Sequence, residues 1–254
     1  MSSTVTAECR GWVFAIRLEG DGGNALSNAD LARLRALFLE AATADCSVVT
    51  LVGAGEDFCR GRNHADVEHR GPTPPAPAEL EARITRPVLD AFGALEQVRV
   101  PVIAAVQGRA WGLACALAGA CDVTLAGSGA SFRLPEMQRD LPPTLALSQL
   151  QRVIGRKALF DLVLRTQEIS AQEALVLGLL TRVVADEQLG VALDEAVAEL
   201  VARDRAALVT VKRYLRDAAS LDGPAAADLA SAMLSGVLAT QLAASALGSA
   251  NRAR

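Results

Sequence analysis

The chain has 254 residues, 51% of them hydrophobic and 21% charged, with 25 Lys and Arg set against 29 Asp and Glu for a formal charge of −4. That length suffices for one sizeable core with an appendage, and an acidic balance without a long basic run argues against a nucleic-acid partner. The first eight residues lack the basic start and apolar run of a signal peptide, and no uninterrupted apolar stretch is expected to span a bilayer, so the reading is a soluble cytoplasmic protein with no membrane partner.

Trp12, Phe14, Ile16 and Leu18 share one parity while Arg17 and Glu19 take the other, which predicts a first strand over residues 11–18. Ser27 is placed to cap a helix that carries Leu31, Leu34, Leu37, Phe38 and Ala41 at helical spacing. The apolar run Val48–Gly53 returns as a buried strand, and helix and strand then alternate through 79–97, 101–106, 112–120 and 122–126, which defines an α/β class. Residues 66–78 interrupt this alternation with Pro72, Pro74, Pro75 and Pro77, predicting an exposed loop rather than a helix.

Farther on, Ser170-Ala171-Gln172-Glu173 has the spacing of a capping box, and its helix can stop at Gly178. Beyond Asp186 the chain reads as helices with Ala-rich faces, and residues 225–250 hold more apolar side chains than an isolated solvated helix tolerates. Either subunit contacts or an intrachain cap on the core would cover them. Cys9, Cys46, Cys59, Cys115 and Cys121 are odd in number and lack Cys-x-x-Cys spacing, so they read as small buried hydrophobes, and no metal site is expected.

Two junctions stand out. Pro101–Val106 leads through Gly108 and Gly112 into a helix of small residues, and a helix N-terminus aims unpaired N–H groups at whatever lies before it. A second Gly-containing turn, Asp57-Phe58-Cys59-Arg60-Gly61-Arg62-Asn63, follows the strand at 48–53, so donors from two loops can share one oxygen. Around these lie Asn24-Ala25-Leu26, Cys121-Asp122, Phe132-Arg133-Leu134-Pro135-Glu136 and Leu150-Gln151-Arg152-Val153-Ile154-Gly155.

In this order the motifs resemble those of the enoyl-CoA hydratase/isomerase, or crotonase, superfamily across most of the chain. The resemblance implies a spiral of repeated ββα units, with a core at 1–195 and a helical region at 196–254 that assembles trimers or hexamers. It implies an acyl-CoA thioester as substrate, coenzyme A entering as part of that substrate and no separate cofactor. The thioester oxygen would be held by the backbone N–H groups of Arg62 and Leu113, with Arg60, Gly61, Asn63 and Gly112 shaping the substrate site. Arg17, Arg60, Arg62, Lys212 and Arg213 are candidates to meet coenzyme A, and the Pro-rich loop is either a surface insertion or a flap over the acyl pocket.

The acid/base positions separate the possible reactions. Hydratases of this family carry one Glu shortly after the second loop and another in the Pro-Glu motif. Here Ala116 stands at the first position and Glu136 at the second. A lone carboxylate suits double-bond isomerisation through a dienolate. Asp140 and His64 are secondary catalytic candidates that would restore a hydratase, while thioester hydrolysis, decarboxylation and noncatalytic acyl-CoA binding remain alternatives.

Overall fold

The computed structural model describes residues 5–66 and 74–252, the side chains of residues 64 and 244–252 excepted. β1 (Val5–Arg10) and β2 (Val13–Leu18) form an antiparallel hairpin that turns at Gly11, whose φ of +57° suits glycine. The expected first strand is therefore second, and it starts two residues later. Phe14, Ile16 and Leu18 are buried as their parity requires, but Trp12 sits in the turn and is 52% exposed.

After the helical turn α1 (Asp21–Asn24) comes α2 (Asn28–Thr43), which begins in a capping box. Ser27 Oγ accepts from Asp30 N at 3.2 Å and Asp30 Oδ2 accepts from Ser27 N at 3.0 Å. Leu31, Leu34, Leu37, Phe38 and Ala41 are buried on one face, as their spacing predicts. Because the cap satisfies an otherwise orphaned helix donor, Ser27→Ala should lower stability by about 1 kcal/mol in urea denaturation.

β3 (Val48–Gly53) lies parallel to β2. A continuous helical stretch follows later, formed by α3 (Pro77–Leu80), a π-helical turn at Glu81–Thr85 and α4 (Arg86–Gln97). Pro77 occupies the first helical turn, where its missing N–H costs nothing, so the predicted loop ends two residues earlier than expected. Residues 67–73, including Pro72 and His69, lie outside the described residues.

Two strand pairs then alternate between sheets. β4 (Val102–Val106) leads to β5 (Arg109–Trp111) and α5 (Leu113–Gly119), and β6 (Val123–Gly127) leads to β7 (Ser131–Arg133). A 3₁₀ turn at Glu136–Arg139, α6 (Thr144–Leu150), α7 (Arg156–Arg165), β8 (Ile169–Ser170), α8 (Ala171–Val176) and β9 (Arg182–Val184) complete this part. Ser170 and Glu173 form the second predicted capping box, and Gly178 follows with φ +86°.

The main sheet has the order β1-β2-β3-β4-β6-β9, all parallel beyond β2, and a small sheet has the order β5-β7-β8. β3 and β4 are buried on both faces, which explains their near-continuous apolar runs. The helix α9 (Leu189–Val201) covers one face, where Leu189 and Ala192 meet Val48, Ile103 and Leu125. The side chains of α2, α4 and α5 fill the larger core that also takes in Phe14, Ile16, Leu51 and Ala104. The boundary expected at 195–196 falls inside α9, which belongs to the sheet's packing.

The helical appendage is α10 (Arg205–Ala218) and α11 (Gly223–Arg252), which pack on each other. Their Val211, Leu215, Leu234 and Leu242 are exposed. Within α11, the 21 residues Gly223–Ala243, with hydropathy 1.2, are long and apolar enough to cross a membrane by length and composition. It is not an uninterrupted apolar run, which is what the sequence was expected to lack. Alanines interspersed with Ser, Thr and Gly raise the mean without the Leu and Ile density of the core, and Asp228 lies within the stretch.

Candidate active site

The site forms where β3 and β4 end, because parallel strands deliver their following loops to one edge. Asn24 ties the first loop down: its Nδ2 donates to Ala54 O at 2.9 Å and Asp57 O at 2.8 Å, while its Oδ1 accepts from Gly20 N at 2.9 Å. Asp57, also buried, accepts from Arg109 N at 3.1 Å and from Arg60 Nε at 2.7 Å. Neither Asn24 nor Asp57 has a role in the sequence reading, although the Asn-Ala-Leu motif marks the first. Asp122 of the Cys-Asp motif is likewise an anchor, accepting from Val102 N at 2.7 Å.

Beyond Asp57 the chain runs beside β5, with Cys59 N donating to Arg109 O at 3.0 Å and Trp111 N to Cys59 O at 3.1 Å. It then pairs with Leu26: Leu26 N donates to Gly61 O at 2.8 Å and Asn63 N to Leu26 O at 2.9 Å. This parallel bridge uses the groups on either side of Arg62, so the Arg62 N–H faces away from Leu26. Gly61 has φ +91°, and a Cβ there would stand 2.7 Å from Trp111 O and 3.6 Å from Leu113 N. Only glycine lets the two loops approach this closely.

Gly112, at φ 53° and ψ −120°, turns the chain from β5 into α5 and is held by its N–H to Arg133 O at 2.7 Å. The first bond within α5 runs from Ala116 N to Gly112 O, so the Leu113 N–H has no acceptor inside the helix. Gly61, Arg62, Gly112 and Leu113 are thus brought together as the sequence suggested.

Glu136 enters from β7. β5 and β7 pair in parallel with Trp111 opposite Arg133, and the turn after Leu134-Pro135 brings the carboxyl back over Gly112. A Cβ on Gly112 would be 2.8 Å from Glu136 Oε1. Glu136 Oε2 is buried and has no hydrogen-bond partner among the described residues. Burial pushes this carboxyl above its ordinary range, opposed by its backbone hydrogen bond and by the charges of Arg139 and Arg133. Ala116, one turn into α5, is fully buried and offers no titratable group.

The remaining candidates are more peripheral. Asp140 is exposed and adopts φ +54° at the end of the turn, a conformation that Asp tolerates and glycine prefers. The side chain of His64 lies outside the described residues. Asn63 Oδ1 accepts from Ala65 N at 3.0 Å, a bond that closes the loop locally. Arg60 is exposed and engaged with Asp57. Arg17 points outward and pairs with Glu19 at 3.0 Å.

Lys212 and Arg213 lie at the other end of the sheet. Lys212 Nζ donates to Val100 O at 3.0 Å and Asp122 Oδ2 at 2.6 Å, both at strand starts, and the two residues line a groove of about 840 Å³ beside the ends of α2 and α4. They are not brought to the site within one chain. Cys46, Cys59, Cys115 and Cys121 are buried free thiols, with Cys59, Cys115 and Cys121 pushed up to about 12 mainly by burial, whereas Cys9 is exposed, contrary to expectation. Among the described residues no cluster of three or more His, Cys, Asp or Glu side chains is placed to hold a metal ion.

Comparisons with known proteins show the family and the fold. The sequence pattern of the enoyl-CoA hydratase/isomerase family matches residues 9–247. A Mycobacterium tuberculosis H37Rv protein named "Probable enoyl-CoA hydratase EchA12" is 36% identical over 189 residues, which cover 69% of this chain and 64% of that protein. The chain therefore spans somewhat under two thirds of that relative's length. The crystal structure of an enoyl-CoA hydratase from Mycobacterium smegmatis superposes with a TM-score of 0.86 at 27% identity, covering 93% of this chain and 91% of the other. A Thermobifida fusca YX protein named "a putative enoyl-CoA hydratase" and solved in complex with CoA superposes at 0.83 with 27% identity, covering 94% and 95% of the two chains. The chain belongs to the enoyl-CoA hydratase/isomerase family.

Proposed function

We propose that the protein acts on an acyl-CoA thioester through an enolate, with double-bond isomerisation as its reaction. The thioester oxygen accepts from the Arg62 and Leu113 N–H groups, which stabilise the charge that develops there more than the neutral ground state. The Glu136 carboxylate takes the α-proton of a 3-enoyl-CoA. The electron pair delocalises into a dienolate, and protonated Glu136 returns the proton at the γ carbon to give the 2-enoyl-CoA. The observation that carries this reading is the Glu136 carboxyl, buried against Gly112, while Ala116 has nothing to orient a water.

The names of the relatives favour a second reading, water addition, in which Asp140 or His64 supplies the missing group. Mass spectrometry of products from 3-enoyl- and 2-enoyl-CoA separates the two. Isomer without mass gain supports isomerisation, whereas a gain of one water from 2-enoyl-CoA as the main product overturns it. Thioester hydrolysis or decarboxylation would appear in the same assay as free acid or lost carbon dioxide.

The raised Glu136 carboxyl also sets the pH dependence. A base with its pKa lifted by burial is protonated at mildly acidic pH, so kcat/KM should rise with pH through an apparent pKa above the ordinary carboxylate range. A profile flat down to pH about 4.5 would place the base elsewhere. For the exposed apolar side chains of α10 and α11 we propose subunit packing into a trimer or a pair of trimers, in the cytoplasm. Light scattering should then give three or six times the chain mass, and a monomer at micromolar concentration would contradict it.

A further inference from the structure

The Arg62 side chain runs from the site to the start of α2, where Nη2 donates to Asn28 Oδ1 at 2.8 Å. Its Nε and Nη1 are buried and have no hydrogen-bond partner among the described residues. Asn28 Nδ2 donates in turn to the backbone oxygen of Arg83 at 3.1 Å, in the π-helical turn before α4. Arg83 Nε and Nη2 are buried and unpartnered as well. Two arginines flanking one asparagine therefore hold four buried guanidinium nitrogens without acceptors.

Such groups are costly to leave unpaired. The carboxylate that supports Arg62 is Asp66, which opposes the lowering of the arginine's pKa by burial. Asp66 Oδ2, however, is already engaged by Asn28 N at 2.7 Å. Among the described residues Asp66 is the carboxylate that acts on Arg62, and the two guanidinium groups keep donor capacity to spare. A planar guanidinium fork matches a carboxylate in charge and shape.

Because the Arg62 peptide N–H is one of the groups assigned above to the thioester oxygen, its side chain begins beside the reacting carbonyl. We propose that Arg62 and Arg83 form an anion subsite for the acyl portion, selecting thioesters whose acyl chain ends in a carboxylate. This rests on the acyl-CoA reading of the site and adds the substrate class.

Calorimetry with three matched pairs tests it: succinyl- against butyryl-CoA, glutaryl- against pentanoyl-CoA and adipoyl- against hexanoyl-CoA. At the best chain length the carboxylate-ended thioester should bind wild-type protein at least about tenfold tighter than its methyl-ended partner, the scale of a charge-assisted hydrogen bond. Arg83→Met and Arg62→Met, each checked for native circular dichroism, should abolish that preference, and Arg83→Met should hold the methyl-ended thioester within about twofold. Equal affinity within all three pairs in the wild type, or a preference that survives both substitutions, overturns the subsite. If Arg83→Met weakens coenzyme A alone as much as the carboxylate-ended thioester, the arginine serves a phosphate, and the acyl assignment is again overturned. Failure of the subsite with intact binding of the methyl-ended thioesters leaves the acyl-CoA reading standing, whereas no binding of any thioester overturns both.

Discussion

Glu136→Gln should lower turnover of a 3-enoyl-CoA by at least about 100-fold while leaving its affinity within a few fold, the pattern of losing a positioned acid/base group. The carboxamide keeps the shape over Gly112 and removes the basicity. The same substitution should not unfold the protein, and its pH dependence has a defined sign. A carboxyl whose pKa is raised on folding binds its proton more tightly in the native chain, so its contribution is fully present below the ordinary carboxylate pKa and is lost as pH rises through the raised value. Denaturant midpoints of wild type and variant should therefore diverge in the variant's favour as pH rises through that window. A variant with full turnover would move the proton to another residue, with Asp140 and His64 next to test.

Gly61→Ala should be nearly as damaging by a different route. Its Cβ would stand 2.7 Å from Trp111 O in a backbone conformation, φ +91°, that alanine rarely adopts. The loop carrying Arg62 must then part from the start of α5. The conformation alone should cost about 1–3 kcal/mol of stability. Displaced donors should lower kcat/KM by at least about 100-fold, the scale of losing one oxyanion contact. Gly190→Ala in α9, where a Cβ meets nothing within 4 Å, is the control: it should keep activity and stabilise by up to about 1 kcal/mol. Equal behaviour of the two variants would show that close loop contact is unimportant.

What was legible in the sequence is what depends on local or continuous signals. β3, β4 and β6 announce themselves as apolar runs because parallel strands are covered on both faces, and the Ser27 and Ser170 capping boxes involve residues only three apart. β1 escaped because it is an edge strand whose Glu8, Cys9 and Arg10 are exposed, leaving little alternation to read. The small sheet escaped because its strands have three, three and two residues and pair across long separations. The site divides in the same way. Gly61 and Gly112 punctuate their turns visibly, but only the family resemblance pointed to Glu136, since nothing local in Phe-Arg-Leu-Pro-Glu says that its carboxyl returns over Gly112. Arg83 carried no signal, because its link to Arg62 runs through Asn28, 55 residues before it.

Deuterium transfer tests the central claim most directly, because it follows the proton that Glu136 is proposed to move. A 3-enoyl-CoA incubated in deuterium oxide with wild-type protein should yield 2-enoyl-CoA carrying some label at the γ carbon, since a half-buried glutamate exchanges its proton with solvent between removal and return. Glu136→Gln should slow both isomerisation and label entry together by about 100-fold or more. Undiminished isomerisation and labelling in a folded Glu136→Gln protein would contradict the account.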